Sequence, residues 1–440
     1  MKRKIKVGFY IENRGFPNVD LRFPEKGNPG IGGTQFTTTA TAFYLQKFYS
    51  EQIEILLLAN RTELFTPSLQ VCQAENEGDA AIKSQEAGCD IFVFKSKDDP
   101  KIYEQLHKLQ IKAIARSNNT PGIYGLNQIA DCPQIKCHVC VGQEQLDILR
   151  DHKVFHKSTR IFNPFNVENF VPKHDIVKRG NTVVFLGSIT PGKGFHHLAR
   201  VWPSILKQRA DAKLIVIGSG RLYNRKDQLG KWGVAEGKYE AKCIRPFLSD
   251  EQGNVIESVH FTGLLGHEKI EILQNADVGV VNPSGRTEVC PASALEIQAC
   301  GTPVVSAAEE GLLDTVVHRK TGLLGKNERE LARNILELLN NPTLAKQLGT
   351  NGISFVQEKF SYQESARQWL ELFIDICNDK PPQQQAIKDN YLYNGKFLRE
   401  GMRILKKNVP VLQKLPALIE VKPLLKKNFL SFNHSRRQVL

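Results

Sequence analysis

The chain has 440 residues, 41% hydrophobic and 24% charged, the composition of a soluble globular protein long enough for two cores. Its formal charge of +13 is uneven: residues 381–440 hold twelve Lys and Arg against three Asp and Glu, so the basic character belongs mostly to the end of the chain. No apolar run of about eighteen residues occurs, which excludes a spanning helix, and nine irregularly spaced cysteines point to reduced thiols in a cytosolic body.

The N-terminal KIKVGFYI (4–11) reads as a buried strand. Lys6 interrupts its apolar part and no small-residue cleavage site follows, so a leader peptide is not expected. A Gly- and Pro-rich loop leads to a helix beginning at Gly33–Thr34. IEILLLAN, CDIFVFKS, IKAIARSN and IKCHVCVG then recur as short apolar runs with helical stretches such as PKIYEQLHKLQ between them. Strands alternating with helices predict a parallel sheet covered on both faces. RIFNPFNVENFVP (160–172) breaks the rhythm with Pro and Asn and reads as a linker.

The pattern restarts with NTVVFLGSI, AKLIVIGSG, VHFTGLL, ADVGVVNPS and TPVVSAA as strands. FHHLARVWPSILKQR, HEKIEILQNA and SALEIQACG are the helices between them. Residues 221–258 are too many for a bare loop and predict extra structure. Two helical segments, 328–360 and 362–379, follow. In the basic end, prolines at 410, 416 and 423 predict short helices carrying interleaved Phe, Leu and Lys.

Three Gly-rich features sit where strands end or helices begin: IGGT (31–34), GSITPGKG (187–194) and GSG (218–220). Ligands of parallel sheets bind beyond the carboxyl ends of strands, where glycine admits a phosphate and a helix N-terminus offers free N–H groups. Each turn alone reads equally as a tight turn; together, one of them containing Lys193, they point to phosphate. In GRTEVCPASALEIQACGTPVV (285–305), Pro291 suits the first turn of a helix. That leaves Glu288 in the preceding loop and Glu296 inside the helix, with the amides of Cys290, Pro291's successor Ala292, and Ser293 facing an anion at its start. Glu296 among Ala, Leu and Ile needs a partner, and ribose hydroxyls would serve.

These features in this order resemble the retaining glycosyltransferases of family 4, which have the GT-B fold. The likeness spans roughly residues 4–375 and is densest over 181–325. It implies an α/β architecture of two Rossmann-like domains facing each other across a cleft, with a basic helical tail. The expected divisions are an acceptor-side domain at 1–165, a sugar-nucleotide domain at 166–360, a helix returning to the first domain at 361–380, and the tail at 381–440. It implies that Lys193 contacts the donor diphosphate, Glu296 the ribose and Glu288 the transferred sugar. Gly218, Cys290, Pro291, Ala292 and Ser293 would complete the donor site, with Gly33 approaching from the first domain. Lys193 and Glu288 are the expected catalytic pair. The expected activity is metal-independent hexosyl transfer to a glycan or lipid-linked acceptor, with no cofactor; no Asp-x-Asp pattern is present. A sugar-nucleotide-binding protein with weak transfer, and a GT-B nucleotide-sugar epimerase, stay open as alternatives.

One position departs from the family. Ser188 stands where an Arg usually follows the first Gly of the phosphate turn, and Arg286 is the expected substitute cation. On the acceptor side, Arg116, Ser117 and Asn118 end a strand and are candidates, although turn formation explains such residues as well. Cys132, Cys137, His138 and Cys140 have ligand-like spacing, but Cys137 and His138 point to opposite faces of a strand, so buried thiols are expected rather than zinc. The tail is expected to meet an anionic membrane face, giving a peripheral cytoplasmic location, with a solvated end as the plain alternative and no nucleic acid partner.

Overall fold

The computed structural model describes residues 3–16, 18–29, 31–172, 178, 180–222, 228–383, 386–387, 390 and 395–421. The chain divides into two compact units, Met1–Pro164 with Tyr362–Leu440, and Phe165–Ser361.

The first unit is built on β1 (Ile5–Ile11), β2 (Ile53–Ala59), β3 (Gln70–Gln73), β4 (Ile91–Lys95), β5 (Lys112–Ser117), β6 (Ile135–Cys140) and β7 (Ser158–Arg160). Their order is β3-β2-β1-β4-β5-β6-β7, parallel throughout. Apolar residues on both faces of each central strand account for this: Val7, Phe9 and Ile11 enter one core, Tyr10, Leu56 and Leu58 the other. The chain comes back to this unit with helix Tyr362–Cys377. Tyr362 stacks on Tyr44 at 3.9 Å, and Phe9 meets Trp369 and Phe373 edge-on at 6.1 and 6.2 Å.

The second unit holds β8 (Thr182–Leu186), β9 (Lys213–Ile217), β10 (Val259–Gly263), β11 (Val278–Val281), β12 (Val304–Ala307) and β13 (Gly322–Gly325), ordered β10-β9-β8-β11-β12-β13 and parallel. Both sheets are Rossmann-like, and strand order reverses at β1/β4 and at β8/β11. Residues 221–258 contain the helical turns Gly237–Tyr239, Glu240–Ile244 and Arg245–Leu248.

Three strands are absent from the sequence expectation: β3, β7 and β13. Each has four residues or fewer. QVCQ and STR are too polar, and GLLG too glycine-rich, to stand out from their loops. At the other end, helix Lys396–Asn408 stops before Pro410, and a 3-10 turn covers Pro410–Lys414. The expected residues Pro423, Leu424, Leu425 and Phe429 lie outside the described residues. The plain reading of a solvated tail is corrected for 395–421, which pack on the first unit: Arg399 reaches Asp151 at 3.2 Å, and Lys396 is 2% exposed.

Candidate functional site

Every feature of the site in the second unit follows from the β8/β11 switch point. After β8 the chain passes Gly187 and Ser188 and enters the turn Pro191–Lys193, which ends at Gly194 in the left-handed region, φ 68°. A Cβ on Gly194 would fall 2.4 Å from the backbone N of Ser284, so glycine is needed for the turn to press on the loop after β11. That loop answers with Ser284 Oγ donating to the Gly192 carbonyl at 2.6 Å. The two strand ends are thereby locked together.

Across this junction Lys193 Nζ donates to Glu288 Oε1 at 2.6 Å and approaches the Thr287 carbonyl at 3.4 Å. Asn282 Nδ2 donates to the same Glu288 oxygen at 3.0 Å. Both members of the ion pair are mostly buried, with side chains 15% and 11% exposed. The loop carries unusual backbone strain. Among the described residues five non-glycine positions have positive φ, and three surround this carboxylate: Asn282, Thr287 and Glu310. Such conformations cost on the order of 1–3 kcal/mol each and persist where surrounding contacts impose them. Here Glu310 Oε2 accepts from the Glu288 amide at 3.0 Å, and the Gly311 amide donates back to the Glu288 carbonyl at 3.0 Å. Burial pushes the Glu310 carboxyl up, and the Glu288 amide opposes that.

The helix that follows runs Ala292–Ala299. Pro291 is its cap rather than its first residue, a shift of one from the sequence expectation. No side chain caps it, Ala292 is exposed and Ser293 half-buried. The first N–H groups of a helix have no intrahelical acceptor, so the turn is equipped to receive an anion beside Lys193. Glu296 finds a protein partner: its Oε2 lies 2.7 Å from Lys269 Nζ. Burial pushes its carboxyl up, and Lys269 pulls it down. A cavity of about 690 Å³ borders the same loop on its β12 side, lined by Ser284, Ser306, Gly325, His197 and Glu328 among others.

Comparison with known proteins meets this geometry where it is densest. Residues 166–355 match the family Glycosyl transferases group 1. The second unit is a group 1 glycosyltransferase domain. An uncharacterized glycosyltransferase of Methanocaldococcus jannaschii is 25% identical over 201 residues, 44% of this chain and 45% of that protein. A GDP-mannose-dependent monoacylated alpha-(1-6)-phosphatidylinositol monomannoside mannosyltransferase of Corynebacterium glutamicum is 28% identical over 183 residues, 40% of this chain and 42% of its own length. The chain thus spans less than half the length of these curated relatives. In fold, it is similar to Anabaena HepE in complex with UDP-glucose, with a TM-score of 0.56 at 13% identity over 84% of this chain and all of that one. The α/β architecture is that of GT-B glycosyltransferases.

Within the group 1 domain, two expected donor ligands have other work. Ser188 is 1% exposed and its hydroxyl donates to the Ser219 carbonyl at 3.3 Å, so its side chain is turned into the protein. Gly218 is glycine because a Cβ would sit 1.8 Å from the Gly187 carbonyl, a demand of packing between adjacent strand ends. Arg286 is exposed and makes no ion pair among the described residues, while its backbone is fixed by Asn282 and Ser284. It acts on His196, which burial, His197 and neighbouring arginines together hold down at about 4. Asn282, Lys269 and Glu310 escaped the sequence reading; only Asn282, directly after a strand and before Pro283, carried a local signal.

In the first unit Gly33 opens helix Gly33–Tyr49, and a Cβ there would meet nothing within 4 Å. Arg116, expected on the acceptor side, lies inside the first unit. It is 3% exposed and donates to Thr38, Thr37 and Asn163 at 2.9, 3.3 and 2.8 Å. Ser117 is also internal, bonded to Ser96 Oγ at 2.5 Å and His138 Nε2 at 2.6 Å. Asn118 differs: its Oδ1 is buried without a hydrogen-bond partner among the described residues, at the carboxyl end of β5. His138 spends its second nitrogen on Ser158 at 3.0 Å, and Cys132, Cys137 and Cys140 are buried free thiols.

Proposed function

We propose that this protein is a retaining glycosyltransferase of hexosyltransferase type, moving a sugar from a nucleoside-diphosphate donor to a glycan or lipid-linked acceptor without a metal cofactor. The observation that carries this is the Lys193–Glu288 pair at the β8/β11 switch point, beside a helix start that no side chain caps. As the bond from the anomeric carbon to the diphosphate breaks, its electron pair and negative charge pass to a phosphate oxygen. Lys193 and the amides at Ala292 and Ser293 would stabilise that charge. When the diphosphate draws Lys193, Glu288 is released to accept from sugar hydroxyls, with Asn282 keeping it in place. The acceptor oxygen then bonds to the anomeric carbon and passes its proton to the departing phosphate oxygen, whose new charge makes it the base. Glu296 would hold the ribose through the oxygen that Lys269 leaves free. The GDP-mannose dependence of one relative, and the UDP-glucose bound in one structural neighbour, support a nucleoside diphosphate sugar as the class.

Ser188 favours a second reading. With its hydroxyl turned to Ser219, the phosphate turn supplies one cation where two are usual, which suits a sugar-nucleotide-binding protein with weak transfer. Epimerisation of the nucleotide sugar, which needs no acceptor, is a third product pattern. Thermal-shift screening against UDP-, GDP- and ADP-sugars, followed by product analysis with and without acceptor, separates them. Glycosidic product with the donor's anomeric configuration supports transfer. Stabilisation by every donor with no turnover of any supports binding alone.

A further inference from the structure

Helix Lys396–Asn408 docks on the first unit the wrong way round for a surface helix, which ordinarily buries its apolar stripe. Its inward face is charged. Lys396 is buried against Glu144 and Asp147, Glu400 meets Arg150 at 3.3 Å, Arg399 meets Asp151, and Lys406 Nζ donates to the Asp151 carbonyl at 3.0 Å. The outward face is apolar: Phe397, Leu398, Ile404 and Leu405 are 59%, 62%, 47% and 48% exposed. Spacing of one, seven and eight residues places these four on one side of the helix. Val411, 78% exposed, extends the row into the following turn. Of twelve exposed large hydrophobic residues among those described, seven lie between 397 and 415, so the apolar exposure of the molecule is concentrated here.

We propose that this outward face docks on an anionic lipid bilayer. The charged inward face fixes the helix to the protein and leaves Leu398, Ile404 and Leu405 at the surface, where they can enter the boundary between headgroups and acyl chains. Exposed Lys407 and Lys414 flank the row, in a segment of marked positive charge, and match anionic headgroups. A second copy of the chain would set two basic segments against each other across an isologous interface. Nucleic acid would leave the apolar row without a partner. This inference does not depend on the donor site.

The test is co-sedimentation of the full chain with phosphatidylcholine vesicles, with or without roughly 30 mol% phosphatidylglycerol. Pelleting is expected with the anionic vesicles, weakening in ~0.5 M salt. Leu398→Glu with Ile404→Glu should weaken it by about tenfold or more without lowering the melting temperature, since both side chains face outward. Lys407→Ala with Lys414→Ala keeps the row and should reduce both affinity and its salt dependence. Failure of the parent to pellet, or equal pelleting of the folded Leu398/Ile404 variant, overturns the proposal. So does a parent dimer in gel filtration that this variant dissolves while pelleting is unchanged.

Discussion

Lys193 and Glu288, ninety-five positions apart in sequence, meet at 2.6 Å where the strand order of the second unit reverses. The pair joins the turn after β8 to the strained loop after β11. On the proposed function, removing the cation would leave the charge developing on the phosphate without this side-chain counter-ion. Lys193→Ala should therefore lower turnover by about 10²–10³-fold, the scale of losing one preorganised charge-stabilising donor. Glu288→Gln keeps the shape and the Asn282 contact, and should lower turnover while changing donor affinity less. Steady-state rates with the donor found by thermal shift check both; a Lys193→Ala enzyme at parental rate would remove this residue from the reaction.

Glu296 and Lys269 make a second pair whose disruption has a pH signature. Burial already raises the Glu296 carboxyl in the folded protein. Lys269→Ala removes the group that opposes that rise, so the folded carboxyl takes up protons at higher pH than the unfolded one. Between the two values the folded state binds more protons, and stability falls as pH rises. Lys269→Ala should thus be more destabilised relative to the parent near pH 7.5 than near pH 5, by an excess of about 1–3 kcal/mol. Chemical denaturation at both pH values measures this, and equal losses would contradict it.

Arg286 projects from the same loop as Glu288, while Ser188, after β8, is a buried serine where the proposed phosphate site would take a second cation. If it supplies the missing charge, Arg286→Ala should weaken donor binding by about tenfold, the scale of a charge-assisted hydrogen bond, and leave stability unchanged because the side chain is exposed. Donor titration by calorimetry reads this directly. Parental affinity and rate would make Arg286 an ordinary surface charge.

What could be read in advance follows from range of interaction. The long β-rich runs, the linker near Pro164 and the glutamates at 288 and 296 are written in local pattern, since strand period and glycine position are local. Lys269 is not, because its partner lies twenty-seven residues away and its own helix, HEKIEILQNA, shows only a charged surface pattern. The burial of Arg116 is hidden for a related reason: a polar residue at a strand end looks open in sequence, yet Thr37, Thr38 and Asn163 bond it from distant segments. The inside-out packing of Lys396–Asn408 was equally hidden, since an amphipathic pattern gives the two faces of a helix but not which one the protein takes.

His138 provides a further test of that buried interior. Its ring bridges Ser117 and Ser158, and burial, assisted by His152, holds it down at about 3. Unfolded, the imidazole takes a proton near its ordinary 6.5. Below that value the unfolded chain binds one more proton than the folded one, so stability present at neutral pH is lost as pH falls, by about 1.4 kcal/mol per unit from this group. Replacing His138 by Gln removes the titrating group but keeps a hydrogen-bonding side chain. The variant should be less stable at pH 7.5, because the bridge is imperfect, yet lose less on acidification to pH 5 than the parent does. His152 and His196 are also lowered, so the parental slope should shrink without vanishing. Equal slopes for parent and His138→Gln in denaturation between pH 7.5 and 5 would show that this histidine does not titrate against folding.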